Sequence, residues 1–273
     1  MNSKNSFSPR RGHIVRLALL AATSGLALTA CSGTDDAPAR STTTAAVPGD
    51  QSSAGSEKKD TGPDKLLWMG DSIGEAQAPA LGAAMTAGGI TFKSVAAAGG
   101  GGVVGEIAAP TWETLPKELD SFKPDVVAYQ ITTFDWGTPQ EQRAAYERLV
   151  KTVNDAGAEL IIVSAPPFKV DDFYKPHAAA IDTAPMSAKS VAEQHPDTVH
   201  FLDASTLWGT DSTAAEAQRS KDGIHSCQQG SAAFAQWFGK KLNTLYPFTP
   251  AAAGQWATGA WTAEKVYGKF GCS

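Results

Sequence analysis

Five short apolar runs, separated by stretches of a different period, restrict what this chain can fold into more than any other feature. They are Leu66 to Met69, Phe92 to Ala96, Val126 to Ile131, Leu160 to Val163 and Val199 to Leu202. Several are apolar at consecutive positions, which is how strands covered on both faces read. Helical patterns lie between and after them. Gly74 to Ala87 is Ala-rich, Pro139 to Ala156 opens with Pro at its first turn and stops at Gly157, and Ala178 to Glu193 follows the fourth run. Gly230 to Leu245 then places Phe234, Trp237, Phe238 and Leu242 on one stripe. Strands alternating with helices predict a doubly wound, flavodoxin-like α/β domain: a three-layer sandwich with a central parallel sheet. The pattern begins at Lys65 and supports a single domain over 65–273 with no internal repeat. Its last stretch, Pro247 to Ser273, reads as irregular, with Trp256, Trp261 and Phe270 packed back onto the domain.

The residues ahead of that domain have another character. Lys4, Arg10, Arg11 and Arg16 precede an uncharged run from Leu17 to Ala30, the layout of a secretory signal peptide over 1–30. The run is too short to span a bilayer, which takes roughly 20 apolar residues. It ends in Leu28-Thr29-Ala30-Cys31, which resembles the bacterial lipobox and implies a diacylated Cys31 as the lipidation site. The alternative is a soluble secreted protein with a chance cysteine. Residues 31–64 are rich in Ser, Thr, Ala, Pro and Gly without an apolar period and read as a flexible tether. An exported protein, lipid-anchored to the outer face of the cytoplasmic membrane or else secreted, is therefore expected. The formal net charge is −5 although the first 30 residues are basic, so the remainder is more acidic still, and a nucleic acid is excluded as a partner.

With Cys31 given to the lipid, Cys227 and Cys272 remain as an even pair in a compartment that permits oxidation. A disulfide between them would close a loop of 45 residues and stabilise the fold by roughly 3 to 5 kcal/mol on chain-entropy arguments. Two free thiols are the alternative.

Two short motifs carry candidate chemistry. Gly70-Asp71-Ser72-Ile73 sits where the first strand gives way to the first helix, and ligands of open α/β sheets bind at the carboxyl ends of strands. A serine there lies at a helix N-terminus, which favours developing negative charge. Asp or Ser ahead of a helix is also an ordinary N-cap. Asp222-Gly223-Ile224-His225 follows the last strand. An Asp three residues before a His on one loop lets the carboxylate hold one ring nitrogen while the other faces a serine across the cleft. The plain alternative is a capping Asp beside a surface His.

In this order and at opposite ends of one α/β domain, the two motifs resemble those of the SGNH hydrolases, also called the GDSL esterase and lipase family. The resemblance covers roughly Lys65 to Leu245. It implies Ser72 as nucleophile, His225 as general base and Asp222 as the acid that orients it. It further implies an oxyanion hole built from the Ser72 amide and a glycine after the second strand. Here that glycine falls in Ala98-Gly99-Gly100-Gly101-Gly102, with Gly99 the first choice and Gly100 the second. The third block departs from the family pattern. Family members carry Gly-x-Asn-Asp, with the Asn as an oxyanion donor, whereas this chain has Thr132-Thr133-Phe134-Asp135. Phe134 has no donor, so Thr132 or Thr133, only one of which should point into the cleft, is expected to replace it, with Gln130 as a further candidate. Asp171 to His177 reads either as a cleft-lining segment or as a solvated loop.

The expected function is a serine-dependent hydrolysis of an acyl ester in the cell envelope, an O-acetylated glycan or an acyl lipid. Two alternatives stand beside it: O-acyl transfer to an envelope sugar, and a catalytically degenerate ligand-binding lipoprotein. No cofactor and no metal are needed. The expected partners are the ester substrate and, through the lipid, the membrane, and a monomer is expected.

Overall fold

The computed structural model describes residues 62–272. The signal peptide over 1–30, the lipidation site Cys31 and all but the end of the tether lie outside the described residues.

Five strands form one all-parallel sheet: β1 (Lys65–Met69), β2 (Thr91–Ser94), β3 (Val126–Gln130), β4 (Glu159–Val163) and β5 (Val199–Leu202). Their order across the sheet is β2-β1-β3-β4-β5. Seven α-helices join and follow them: α1 (Ser72–Ala87), α2 (Ala109–Phe122), α3 (Pro139–Asp155), α4 (Ala178–Gln194), α5 (Ser205–Trp208), α6 (Gln228–Leu245) and α7 (Lys265–Lys269). The three central strands are apolar over most of their length because both faces are covered. Leu66, Trp68, Ala128, Ile161 and Val163 pack with α1 and α6, while Leu67, Met69, Val127, Tyr129, Leu160 and Ile162 pack with α2, α3 and α4. This is the doubly wound three-layer sandwich expected.

Chain direction across the sheet reverses beside β1, since β2 lies on one side of it and β3 on the other. Such a switch point opens a crevice beyond the carboxyl ends of the two strands, because their outgoing loops diverge to opposite faces.

The structure differs from the sequence reading in several places. The helix α2 has no counterpart among the expected elements. Pro110 in its first turn is an ordinary helix-start residue, but Pro116 falls inside the helix and only Leu115 and Leu119 are buried along it. β2 ends at Ser94 rather than Ala96, yet the amides of Val95 and Ala97 go on donating to the carbonyls of Trp68 and Gly70, which steers the glycine run against the end of β1. On α6 the buried stripe is Phe234, Phe238 and Leu242, while Trp237 is half-buried and donates its indole N–H to Thr206 Oγ1 at 3.1 Å. The tail, read as irregular, contains two 3₁₀ turns and α7. Trp256 and Trp261 are buried in the α1/α6 layer. No helix of the described residues is long and apolar enough to cross a membrane.

Candidate active site

Ser72 is the first residue of α1, and the residue before it closes the turn. Asp71 is the N-cap, its Oδ1 accepting from the Ile73 amide at 2.9 Å. Its other oxygen accepts from both the amide and the hydroxyl of Thr133, at 2.7 and 2.8 Å. The carboxylate thus clamps the end of β3 to the start of α1 across the switch point. Asp71 is buried, and burial raises its carboxyl above the ordinary range, opposed by these hydrogen bonds and by His225.

Asp222-Gly223-Ile224-His225 is built as a tight Asx turn. Asp222 Oδ1 accepts from the amides of Ile224 and His225, at 2.7 and 3.0 Å, and from Ser220 Oγ at 2.7 Å. Gly223 supplies the left-handed φ of +76° that this turn requires. Below it, Arg219 and Ser226 form an antiparallel bridge, and Arg219 donates to the carbonyls of Ala217 and Ile224 at 2.7 and 2.9 Å. Burial draws the Arg219 guanidinium down to about 10.

The loop delivers its histidine to the serine. His225 Nε2 lies 2.8 Å from Ser72 Oγ, and Nδ1 lies 2.7 Å from Asp222 Oδ2. An unbroken relay therefore runs from a carboxylate through an imidazole to a hydroxyl at a helix N-terminus. Burial raises the Asp222 carboxyl, but the bonds from His225, Ser220 and Ile224 together outweigh it and hold the group at about 2. Asp222 is thus charged over the whole neutral range and keeps the ring oriented with Nε2 toward Ser72.

Gly101 carries a φ of +81°, and a Cβ placed on it would lie 2.0 Å from the Gly70 carbonyl oxygen. The glycine run therefore packs backbone to backbone against the nucleophile's turn, and it does so through Gly101. Gly99 also has a left-handed φ, +75°, but a Cβ there would meet nothing within 4 Å. The Gly100 amide is engaged by the Ala97 carbonyl at 3.3 Å, whereas the amides of Ser72 and Gly99 donate to no group among the described residues. Gly101→Ala is expected to cost more than Gly99→Ala. The second introduces only a strained φ, about 1–2 kcal/mol, and the first adds a clash with backbone that cannot move aside. Thermal melts of the two variants check this, and equal losses would show that the close approach is unimportant.

No residue expected to replace the missing Asn faces the cleft with a free donor. The Thr133 hydroxyl donates to Asp71. The Thr132 hydroxyl donates to Asp135 Oδ1 at 3.1 Å, and Gln130 Nε2 donates to Gln77 Oε1 at 2.8 Å. Alternation along a strand predicts one threonine in the cleft. β3 ends at Gln130, however, and beyond it both hydroxyls turn toward buried carboxylates, whose demand for donors outweighs alternation. Thr133→Val accordingly removes one of the three donors to Asp71, and a loss of about 1–3 kcal/mol by denaturant unfolding is expected. An unchanged midpoint would show the bond to be dispensable.

Asp135 matches the last position of the third block and is buried. It accepts from Tyr129 Oη at 2.6 Å, Tyr146 Oη at 3.0 Å and the Val103 amide at 3.1 Å, besides Thr132. It ties the loop after the glycine run to β3 and α3. Its place in the block is part of the motif, but no local signal in the sequence announces its partners. Beside it, Phe134 belongs to an aromatic group with Trp136, Phe173 and Tyr174, and the His177 ring stacks on Trp136 at 3.5 Å. Of the Asp171 to His177 segment, Tyr174 is buried with its hydroxyl 3.4 Å from Thr133 Oγ1, and Phe173 is 58% exposed.

Comparison with solved structures places this architecture. A GDSL-like lipase from Bacteroides thetaiotaomicron superposes with a TM-score of 0.52 over 67% of this chain and 89% of its own, at 12% identity. The chain has the SGNH hydrolase fold. An acetyl esterase, solved as a serine-to-alanine mutant with acetate, gives 0.52 at 17% identity over 66% of this chain and 97% of its own. A salicylyl-acyltransferase from a tetracycline biosynthetic pathway gives 0.52 at 19% identity over 69% of this chain and 56% of its own. At these identities the likeness is one of fold. No protein-family model and no curated protein sequence matches the chain. Within this fold, Ser72 opens α1 just after β1, the glycine run follows β2, and the Asp222-His225 loop precedes α6.

Proposed function

We propose that the domain cleaves or transfers an ester-linked acyl group through a covalent intermediate on Ser72. The observation that carries this reading is the Asp222–His225–Ser72 relay at 2.7 and 2.8 Å. In the reaction, Ser72 Oγ bonds to the ester carbonyl carbon as its proton passes to His225 Nε2. The carbonyl oxygen takes the negative charge and is held by the amides of Ser72 and Gly99, both without other partners. Collapse expels the alcohol, which takes the proton from His225, and a second nucleophile enters by the reverse path. A fluorophosphonate probe followed by peptide mapping tests the reading: labelling at Ser72 supports it, and a wild-type protein without labelling or ester turnover overturns it in favour of a binding protein.

The second nucleophile is water for a hydrolase and a sugar hydroxyl for a transferase. The transfer reading draws support from the acyltransferase among the fold's relatives, and product analysis with added sugar acceptors separates the two. The aromatic group of Phe134, Trp136, Phe173 and Tyr174 would line the cleft, with the exposed Phe173 ring at its rim. The signal-like leader supports a substrate in the cell envelope. On that reading wild-type protein partitions with the membrane, Cys31→Ala releases it, and an unmodified Cys31 in the mature protein refutes the anchor.

A further inference from the structure

His225 has a third neighbour besides Ser72 and Asp222. The Phe270 ring lies flat against the imidazole, centroids 3.7 Å apart and planes 11° from parallel. Although His225 stands on a loop, its side chain is only 12% exposed. Phe270 comes from the tail, and three ties hold it in place. Cys272, two residues after Phe270, is joined by a disulfide to Cys227, two residues after His225. Lys269 reaches Glu75 on α1 at 3.0 Å, and its Nζ lies 5.1 Å from the Phe270 ring centroid. The amides of Phe270 and Cys272 both donate to the carbonyl of Tyr267, whose own ring is buried. The covalent link and the ring stack thus join the same two segments.

We propose that Phe270 is a positioning residue for His225, and that the disulfide-tied tail is a strap whose purpose at the site is to hold this ring in place. The inference rests on reading Ser72 and His225 as nucleophile and base. The two hydrogen bonds of His225 fix its ring nitrogens, but both lie in the ring plane and leave tilting about their line unopposed. A flat ring at van der Waals distance opposes that tilt and keeps water off one face. Its π face also favours the imidazolium formed as Ser72 Oγ gives up its proton, the state in which the imidazole is charged. A branched aliphatic side chain fills the same space without the flat face or its quadrupole.

The test compares Phe270→Leu and Phe270→Tyr in the full-length protein, using a short-chain p-nitrophenyl ester. Phe270→Leu should lower kcat at least ~10-fold with KM within about twofold of wild type, and Phe270→Tyr should restore kcat, because the ring acts on the chemical step and not on substrate binding. Alongside, the downfield proton resonance of the His225–Asp222 hydrogen bond should persist in wild type and Phe270→Tyr and broaden or vanish in Phe270→Leu. Wild-type kcat together with an undiminished resonance in Phe270→Leu overturns the proposal. Should Phe270→Leu fail to melt cooperatively, Phe270→Met takes its place with the same expected outcomes. Absence of fluorophosphonate labelling at Ser72 in the wild type defeats the esterase reading alone, since the resonance still decides whether Phe270 positions the imidazole.

Discussion

Ser72→Ala and His225→Ala are each expected to abolish ester turnover, by a factor on the order of 10⁶ where a triad acts as a unit, and the double variant should fall no further. The relay explains why: Ser72 Oγ and His225 Nε2 share one hydrogen bond at 2.8 Å, the hydroxyl is a poor nucleophile without the base, and the base has no nucleophile without the hydroxyl. Asp222→Asn should be less severe, because an amide oxygen can still accept from the loop's backbone. Initial rates with a chromogenic ester decide the matter, and substantial turnover in either single variant would remove the assignment. The pH profile supplies a companion result. Asp222 is held at about 2, below its unfolded value, so its orienting charge is present above the ordinary carboxylate range and is lost only as pH falls toward 2. Any loss of activity on acidification well above that point is therefore not a loss of the Asp222 charge.

Asp135→Ala should be the most damaging single change to the fold outside the hydrophobic core. It strands the hydroxyls of Tyr129, Tyr146 and Thr132 and the amide of Val103 in a site closed to water. Each buried donor left without an acceptor costs about 1–3 kcal/mol, so four of them approach the 5–15 kcal/mol by which whole domains are stable. A melting temperature lower by at least ~10 °C, or no folded protein at all, is the expected outcome. Asp135→Asn keeps one acceptor oxygen and should lose less. If Asp135→Ala melted within a few degrees of wild type, the carboxylate would not be what ties the glycine-run loop to β3 and α3.

The site is legible in the sequence where its residues are neighbours in the chain. Asp222 and His225 share one turn, and Asp71 and Ser72 share one helix start, so four residues in each case report both conformation and chemistry. The central strands β1, β3 and β4 were legible for a related reason: burial on both faces writes itself as consecutive apolar residues, a signal that the edge strands β2 and β5 carry only in part. α2 was not: Pro116 falls inside it and only Leu115 and Leu119 are buried along it.

What only the tertiary structure decided are the contacts whose partners lie far apart in the chain. Thr133 is 62 residues from the Asp71 that claims its hydroxyl, and nothing in Thr132-Thr133-Phe134 foretells that a buried carboxylate will outbid the cleft. Gly101 touches Gly70 because β2 lies beside β1, and adjacency in the sheet, not the identity of four consecutive glycines, selects which of them must lack a side chain. Phe270 reaches His225 because a disulfide and an ion pair bring the tail over α1. Sequence periodicity states which face of an element is buried. Which distant group a polar or aromatic side chain meets there depends on how the elements assemble, and that is settled only when the whole domain has closed.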